Sequence, residues 1–461
     1  MTERVTRGPP IAWLAAVGLA LLVPRAALIA QDTTAGRTVY GKWCAGCHGD
    51  GGAGDGPGAP AMLPRPRDFT LGIYQIRTTA TGQLPTDDDL LRAIDHGLPG
   101  TAMPAWREQL SDGERRDLVA YLKSLSAFFA DTTMRPVALT FSTPPRGGPD
   151  ALRIGRQFFD SIQCFKCHGA AGRGDGRSAP TLKDDAGFPA YAADLTQNWR
   201  FNGGGSVEEI YRRLRTGLDG TPMPSFSDLL DQQFLTDEEL WRVAQYVHSL
   251  SPARPPEVRD VIHAGAWRGP LPADPGDSAW SNVEPSWFPL VGQVVRRPRW
   301  FTPAVAGVWV QAVHTGDSIA LRLAWDDRSR SPDSTWLEFT GRVLAAVAGD
   351  DSAPPEGWPD QEAVQFPARV ATGVERPDFL MGGAGGPVYP WGWVRTGSGE
   401  AAAGLARGLE RFDTLPGAPG ARAVYDQGQW RVVFTRSLAT ADSTSQVQFG
   451  ASIGATAGWP A

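Results

Sequence analysis

Lysine is scarce in this chain. Among 44 basic residues only Lys42, Lys123, Lys166 and Lys183 are lysines, so no lysine follows residue 183. Cysteine is equally rare: Cys44, Cys47, Cys164 and Cys167 are the full set, too few for a disulfide-stapled scaffold in 461 residues. No basic run of the kind that nucleic acid requires is present, and a net charge of −6 is slight for this length. No apolar stretch approaches the roughly 20 residues needed to cross a bilayer. The longest candidate, Ile11 to Val23, follows Arg4 and Arg7 and is closed by Pro24 and Arg25. Small residues then lead to Ala30, which reads as an export signal over 1–30, cleaved after Ala30; an uncleaved membrane anchor is the alternative.

The four cysteines fall into two identical settings, Cys44-Ala-Gly-Cys47-His48 and Cys164-Phe-Lys-Cys167-His168. C-x-x-C-H is the attachment signature of c-type haem. Two thiols one helical turn apart can form thioethers to the vinyl groups, and the adjacent His supplies a nitrogen to iron. A structural zinc would need two more ligands near each motif, and none is near. A disulfide within each pair is the other alternative. The glycine-rich run after His48, residues 49–57, is not a phosphate loop, because no strand precedes it and no Lys-Ser/Thr ends it. It suits a backbone bending tightly past a haem edge.

The two motifs head a long repeat. Cys44 and Cys164 lie 120 residues apart, as do Met103 and Met223. Gly49, Gly52, Gly54, Asp55, Gly56 and Pro60 map onto Gly169, Gly172, Gly174, Asp175, Gly176 and Pro180. Gly97-Leu-Pro-Gly-Thr-Ala-Met-Pro maps onto Gly217-Leu-Asp-Gly-Thr-Pro-Met-Pro. A lone Met is usually core filler; two in register, each 55 residues past the motif His, are expected as sixth ligands beside His48 and His168. His96 has Thr216 as its counterpart, so no His is shared at that place, and His96 and His248 are expected at the surface or in packing. Helices are expected before Cys44 and over 87–96. Two more should follow the capping boxes Ser111-Asp-Gly-Glu114 and Thr236-Asp-Glu-Glu239. The expected layout is a helical haem domain over 31–130, a Pro/Gly-rich linker over 131–150 and a second haem domain over 151–253.

Helical periodicity ends after Pro252. Ile319, Leu321, Leu323 and Trp325 alternate with Ala320, Arg322 and Ala324; Val308 and Val310, Trp430 to Phe434, and Val447 and Phe449 behave likewise. An antiparallel β-sandwich over 254–461 is expected. No Ser-His-Asp set, paired-carboxylate spacing or zinc motif stands out here. Asp326-Asp327 and Asp350-Asp351 are candidate calcium ligands, with solvated turns as the alternative.

The span from about 36 to 250 resembles tandem class I cytochrome c domains, through its Gly-Asp-Gly loops, Arg65-Pro-Arg-Asp-Phe-Thr70 and the Met-Pro pairs. The resemblance implies two all-α domains with haem edges partly exposed for electron exchange. Arg77 and Arg200 occupy similar contexts and are candidate partners of haem propionates, exposed solvated Arg being the alternative. In the last domain, Leu321-Arg-Leu-Ala-Trp-Asp-Asp327, Ala363-Val-Gln-Phe-Pro367, Pro377-Asp-Phe-Leu-Met381-Gly and Pro390-Trp-Gly-Trp393 resemble the γ subunit of ethylbenzene dehydrogenase and its dimethylsulfide dehydrogenase relatives. That family implies a sandwich holding a non-covalent haem b between a Met and a Lys, fed by iron–sulfur and molybdenum subunits. Met381 fits the Met ligand; the Lys is missing, and residues 450–461 depart from the family's ending. His314 is a candidate substitute, and a sandwich without cofactor is the alternative. The expected function is a periplasmic dihaem electron-transfer subunit, with heme c at two sites and heme b at a possible third. It would relay electrons between a molybdenum oxidoreductase and soluble or membrane acceptors. The competing functions are a dihaem peroxidase, which needs an open iron position, and an electron carrier with a ligand- or carbohydrate-binding sandwich.

Overall fold

A computed structural model describes residues 32–259, 261–292, 303–331, 333–348, 359–368, 381–383, 385–395, 401–408 and 412–449. The expected signal over 1–30, the Asp350-Asp351 pair and the chain after 449 lie outside these residues.

Two helical units come first. In the first, α1 (Thr33–Trp43) starts on Asp32, whose carboxylate accepts from Thr34 and Ala35 N–H. A single turn, α2 (Ala45–His48), follows at once. α3 (Asp87–His96) and α4 (Asp112–Ser124) both open on reciprocal capping boxes, Thr86 with Asp89 and Ser111 with Glu114. Caps of this kind contribute about 1 kcal/mol each. The second unit repeats the order with α5 (Pro149–Ser161), α6 (Phe165–His168), α7 (Val207–Thr216), a short α8 (Ser227–Asp231) and α9 (Asp237–Ser249), the last capped by Thr236 and Glu239.

α1 crosses α4, and α5 crosses α9, at a glycine in each case. A Cβ on Gly36 would sit 2.0 Å from the Asp117 carbonyl oxygen, and one on Gly155 would sit 2.1 Å from that of Arg242. The helices therefore touch backbone to backbone. The repeat is not uniform here. Gly36 and Gly155 are 119 residues apart, one fewer than the cysteines. The extra residue of the second unit is Gln163, held at φ 65°. It lets Cys164 N–H reach back five residues to Phe159, whereas Cys44 N–H reaches four, to Tyr40. Linker residues dock on the second unit: Phe141 meets Tyr211 edge-on at 5.8 Å, and Trp241 Nε1 donates to Ser142 Oγ at 2.8 Å.

The C-terminal region is sheet-rich and separate. One six-stranded sheet contains β1 (Gly265–Ala266), β2 (Ser286–Pro289), β3 (Gly307–His314) and β4 (Ser318–Asp326). Next in the chain comes a helix, α10 (Ser334–Ala348). A four-stranded antiparallel sheet follows, β5 (Gln361–Pro367), β6 (Val388–Val394), β7 (Ala401–Ala406) and β8 (Phe412–Thr414), in that order. Finally β9 (Gly420–Asp426) and β10 (Gln429–Ser437) return to the first sheet, which runs β1-β3-β4-β10-β9 with β2 also on β3. One apolar cluster takes side chains from both sheets, among them Leu323, Trp325, Val432 and Phe434 from the first and Val364, Tyr389, Trp391 and Leu405 from the second.

Three features differ from the expectation. β1 pairs with β3 in parallel. Val447 and Phe449 are buried in the shared cluster without forming a strand. The third is α10, where an all-β region was expected; Trp336, Phe339, Val343 and Leu344 recur at helical spacing and are buried.

Asp360 ties the two sheets together. Its carboxylate accepts from Trp430 Nε1 at 3.0 Å and from Ser331 N–H at 2.7 Å. Burial, reinforced by the nearby Asp327 carboxylate, pushes its pKa up to about 7. The folded state then holds a proton that the unfolded chain has lost, so stability falls as pH rises from about 4 to about 7 and levels off above that. The contribution is on the order of 2–4 kcal/mol. Asp360→Asn should flatten that part of the stability profile in denaturant titrations at pH 5 and pH 8; an unchanged slope would refute the assignment.

Candidate haem sites

Each C-x-x-C-H segment is wound into one helical turn by the same bonds. His48 N–H donates to Cys44 O at 2.9 Å, and His168 N–H donates to Cys164 O at 2.9 Å. Cys47 and Cys167 N–H close 3.1 and 3.2 Å bonds to those same carbonyls. The two sulfurs of a pair therefore share a helix face. All four thiols are free, so neither pair is a disulfide. Among the described residues no group of three or more His, Cys, Asp or Glu is placed to hold a metal ion. Burial raises all four thiol pKa values, Cys44 to about 11 and Cys164 to about 12.

Each motif His is oriented by a backbone carbonyl. His48 Nδ1 lies 3.0 Å from Arg67 O, and His168 Nδ1 lies 2.9 Å from Ala193 O. A carbonyl can only accept, so each Nδ1 carries the proton and each Nε2 keeps its lone pair. Burial lowers both imidazole pKa values, which favours the neutral ring that a metal requires. Phe69 stacks on His48 at 4.5 Å. Tyr40, buried on α1, donates its hydroxyl to Gly49 O at 2.7 Å and pins the turn just after the motif.

The glycines of these loops answer to sterics. Gly49 and Gly169 both sit at φ 79°, and a Cβ on either would collide with the carboxylate of Asp55 or Asp175. Gly56 and Gly176 pass so close to the motif turn that a Cβ would lie 2.6 Å from Ala45 O and 2.3 Å from Lys166 O.

The two Met loops are built alike. Leu98 N–H donates to Met103 O at 3.0 Å, and Leu218 N–H donates to Met223 O at 3.1 Å. Thr101 and Thr221 hydroxyls donate to Leu98 O and Leu218 O, both at 2.7 Å, and accept from Met103 N–H at 3.1 Å and Met223 N–H at 3.3 Å. Both Met side chains are half-buried. Met223 and Cys164 pack against the same apolar cluster. In the first unit Cys44 and Trp106, three residues past Met103, share one cluster, and Trp106 meets Trp43 at 5.5 Å. Paired thiols, a neutral imidazole with a free Nε2 and a soft sulfur on a fixed loop suit haem c in both units.

Other expectations resolve differently. Arg77 is fully buried and is neither solvated nor free for a propionate. Its guanidinium donates to Ala80 O, Tyr74 O and Thr216 O and pairs with Asp219. Arg200 is half-buried, with its pKa lowered by burial. His96 is exposed and His248 half-buried on the last turn of α9, as expected. Met381 is half-buried at φ 66°, and its carbonyl accepts from Gly408 N–H at 2.9 Å. His314 ends β3 in the other sheet, its Nδ1 2.9 Å from Thr315 O. Asp326 takes Arg173 Nε at 2.8 Å and Gln197 Nε2 at 3.0 Å, which makes it a contact to the second haem unit.

Sequence reasoning missed what α10 does. Its Trp336, Phe339 and Val343 pack with Leu63 of the first unit and with Ala179 and Ala192 of the second; Cys167 lies against the same cluster. Arg342 donates to Pro180 O, and Arg65 donates to Ala346 O. One helix of the C-terminal region thus touches both haem units beside their motif turns.

Residues 31–122 match the family model for cytochrome c oxidase, cbb3-type, subunit III, and residues 152–251 match the model for cytochrome c. The chain therefore carries two cytochrome c-type domains ahead of its sheet-rich region. Together they describe a dihaem cytochrome c of the electron-transfer kind, with haem c as cofactor. Among curated proteins it is similar to the cbb3-type cytochrome c oxidase subunit CcoP of Rhodobacter capsulatus, 29% identical over 244 residues, which covers 51% of this chain and 68% of that protein. The subunit FixP of Bradyrhizobium diazoefficiens is 27% identical over 254 residues, covering 53% of this chain and 70% of that protein. Among solved structures, a chain of the Kuenenia stuttgartiensis reducing HAO-like protein complex is 42% identical, with a TM-score of 0.45, covering 48% of this chain and 97% of that one.

Proposed function

We propose that this protein is an exported electron-transfer subunit that relays electrons between a respiratory oxidoreductase and periplasmic or membrane acceptors. Cys44 and Cys47 attach the first haem and Cys164 and Cys167 the second; His48 with Met103, and His168 with Met223, are the axial pairs. The observation that carries this reading is the identical hydrogen bonding of the two Met loops, together with the identical carbonyl anchoring of the two motif imidazoles. Two six-coordinate irons suit outer-sphere transfer and leave no position for peroxide, which disfavours the peroxidase alternative. The C-terminal region is read as a β-sandwich akin to the γ subunit of ethylbenzene dehydrogenase, with molybdenum catalytic and iron–sulfur subunits as partners. Its quoted sequence segments support that partner class, and the named relatives, subunits of a cbb3-type oxidase, support a place in a redox complex. Among the described residues no helix is long and apolar enough to cross a membrane; export rests on the N-terminal sequence pattern. Met381, with His314 as candidate substitute for the missing Lys, is what this region offers to a haem b, and the relay does not depend on it.

Two experiments test the reading. Intact mass should give two covalent haems, and acid solvent then reports any non-covalent haem that would engage Met381. Met103→Ala and Met223→Ala should each keep both haems attached but lower the potential of one centre apiece in a redox titration. A resting high-spin haem in the unmodified protein, or unchanged potentials in both variants, would overturn the axial assignment.

A further inference from the structure

The two Met loops differ at two positions, Ala102 against Pro222 and, at the centre, Pro99 against Asp219. Where the first reads Gly97-Leu-Pro99-Gly100, the second reads Gly217-Leu-Asp219-Gly220. Asp219 points its carboxylate out of its own domain. Oδ2 pairs with Arg77 Nη2 at 2.7 Å and accepts from Gly82 N–H at 2.8 Å, both in the first domain. The residue that opens the loop is held from the same side: Thr216 O accepts from Arg77 Nη2 at 2.8 Å and from Thr81 Oγ1 at 2.9 Å. Gly220 lies beside Ile73 and Arg67, so that a Cβ there would be 3.4 Å from Ile73 Cγ2 and 3.3 Å from Arg67 Nη1. Arg213 answers in the opposite direction, its Nη2 donating to Arg77 O at 3.0 Å. Arg77 itself is anchored at home by Tyr74 O and Ala80 O, so its guanidinium has no freedom to follow a moving loop.

We infer that Arg77 of the first domain is a positioning residue for the iron of the second. Acting through Asp219 and Thr216 O, it holds the loop that presents Met223, and thereby tunes a centre in another domain. This rests on the assignment of Met223 as sixth ligand. Among the described residues the first loop has no matching clamp. Pro99 carries no carboxylate, and the other domain meets that loop at Gly100, where a Cβ would lie 2.5 Å from Arg200 O. The two centres are therefore held unequally: the second depends on the docking of the first domain, the first on its own loop.

Asp219→Pro is the decisive variant, because the first repeat carries Pro at the same place in a loop with the same hydrogen bonds. Asp219→Asn gives a milder second version should the first fold poorly. Met103→Ala and Met223→Ala assign the two steps of the redox titration. Arg92→Ala is the control, since Arg92 pairs with Glu209 across the same interface away from the Met loop. Asp219→Pro should move the second step to lower potential and weaken the absorption band of Met-ligated ferric haem, leaving the first step in place. The inference falls if both steps stay put while thermal stability drops, which would make the clamp only structural. It also falls if Arg92→Ala shifts the second step as much. If Met223→Ala changes neither spectrum nor potential, it is the ligand assignment that fails.

Discussion

A chain carrying both Cys164→Ser and Cys167→Ser should retain one covalent haem and lose the other, so that covalent haem per chain falls by half. Both thioethers of the second site are then impossible, while the first site keeps its thiols. His168 remains held by Ala193 O, so the variant separates covalent retention from axial ligation. The second domain also loses its core filler, because Cys164 and Met223 pack against one cluster that includes Leu214, Leu240 and Val243. A domain that small has little stability to spare. The measurement is intact mass with haem staining after denaturing electrophoresis. Two haems in the double variant, or none, would refute independent attachment at two sites.

Gly155→Val should cost about 3 kcal/mol or more and abolish haem incorporation into the second domain alone. The nearest atoms to a Cβ there are the Arg242 carbonyl oxygen and carbon and Tyr246 Cβ, at 2.1 to 2.7 Å. Backbone atoms cannot turn aside as a side chain can, so the helices α5 and α9 must separate. Overpacking of this kind usually costs about 1–3 kcal/mol, and more where neither side yields. The consequence should reach the haem site, because α5 leads directly into Gln163 and Cys164. Thermal unfolding followed at each haem's own absorption would show one domain melting early. Equal loss at both sites would mean that the domains fold as one unit.

Much of the helical half was legible in advance. The helix over 87–96 and both capping boxes follow from local rules: a side chain that caps its own helix needs only its neighbours. The repeat made the Met loops visible because two copies of one arrangement must satisfy the same bonds. The burial of Arg77 is not legible in the sequence, for the opposite reason. Its partners Thr216 and Asp219 lie more than 130 residues away, and nothing local distinguishes a solvated Arg from a buried one. α10 was hidden among β stretches, and its apolar face has meaning only once Leu63 and Ala179 are brought beneath it.

The sequence by itself determined the chemistry of this protein: where thiols, imidazoles and thioethers fall along the chain, and that they fall twice in register. Such features are short-range, and covalent spacing specifies them. The tertiary structure alone decided how the copies cease to be equivalent. Asp219 pairs with Arg77 of the first domain where the first repeat has Pro99, and α10 packs against Leu63 of the first unit and Ala179 of the second, in the cluster that Cys167 lies against. Those contacts join residues far apart in sequence, and their energy exists only when burial removes water from both partners at once.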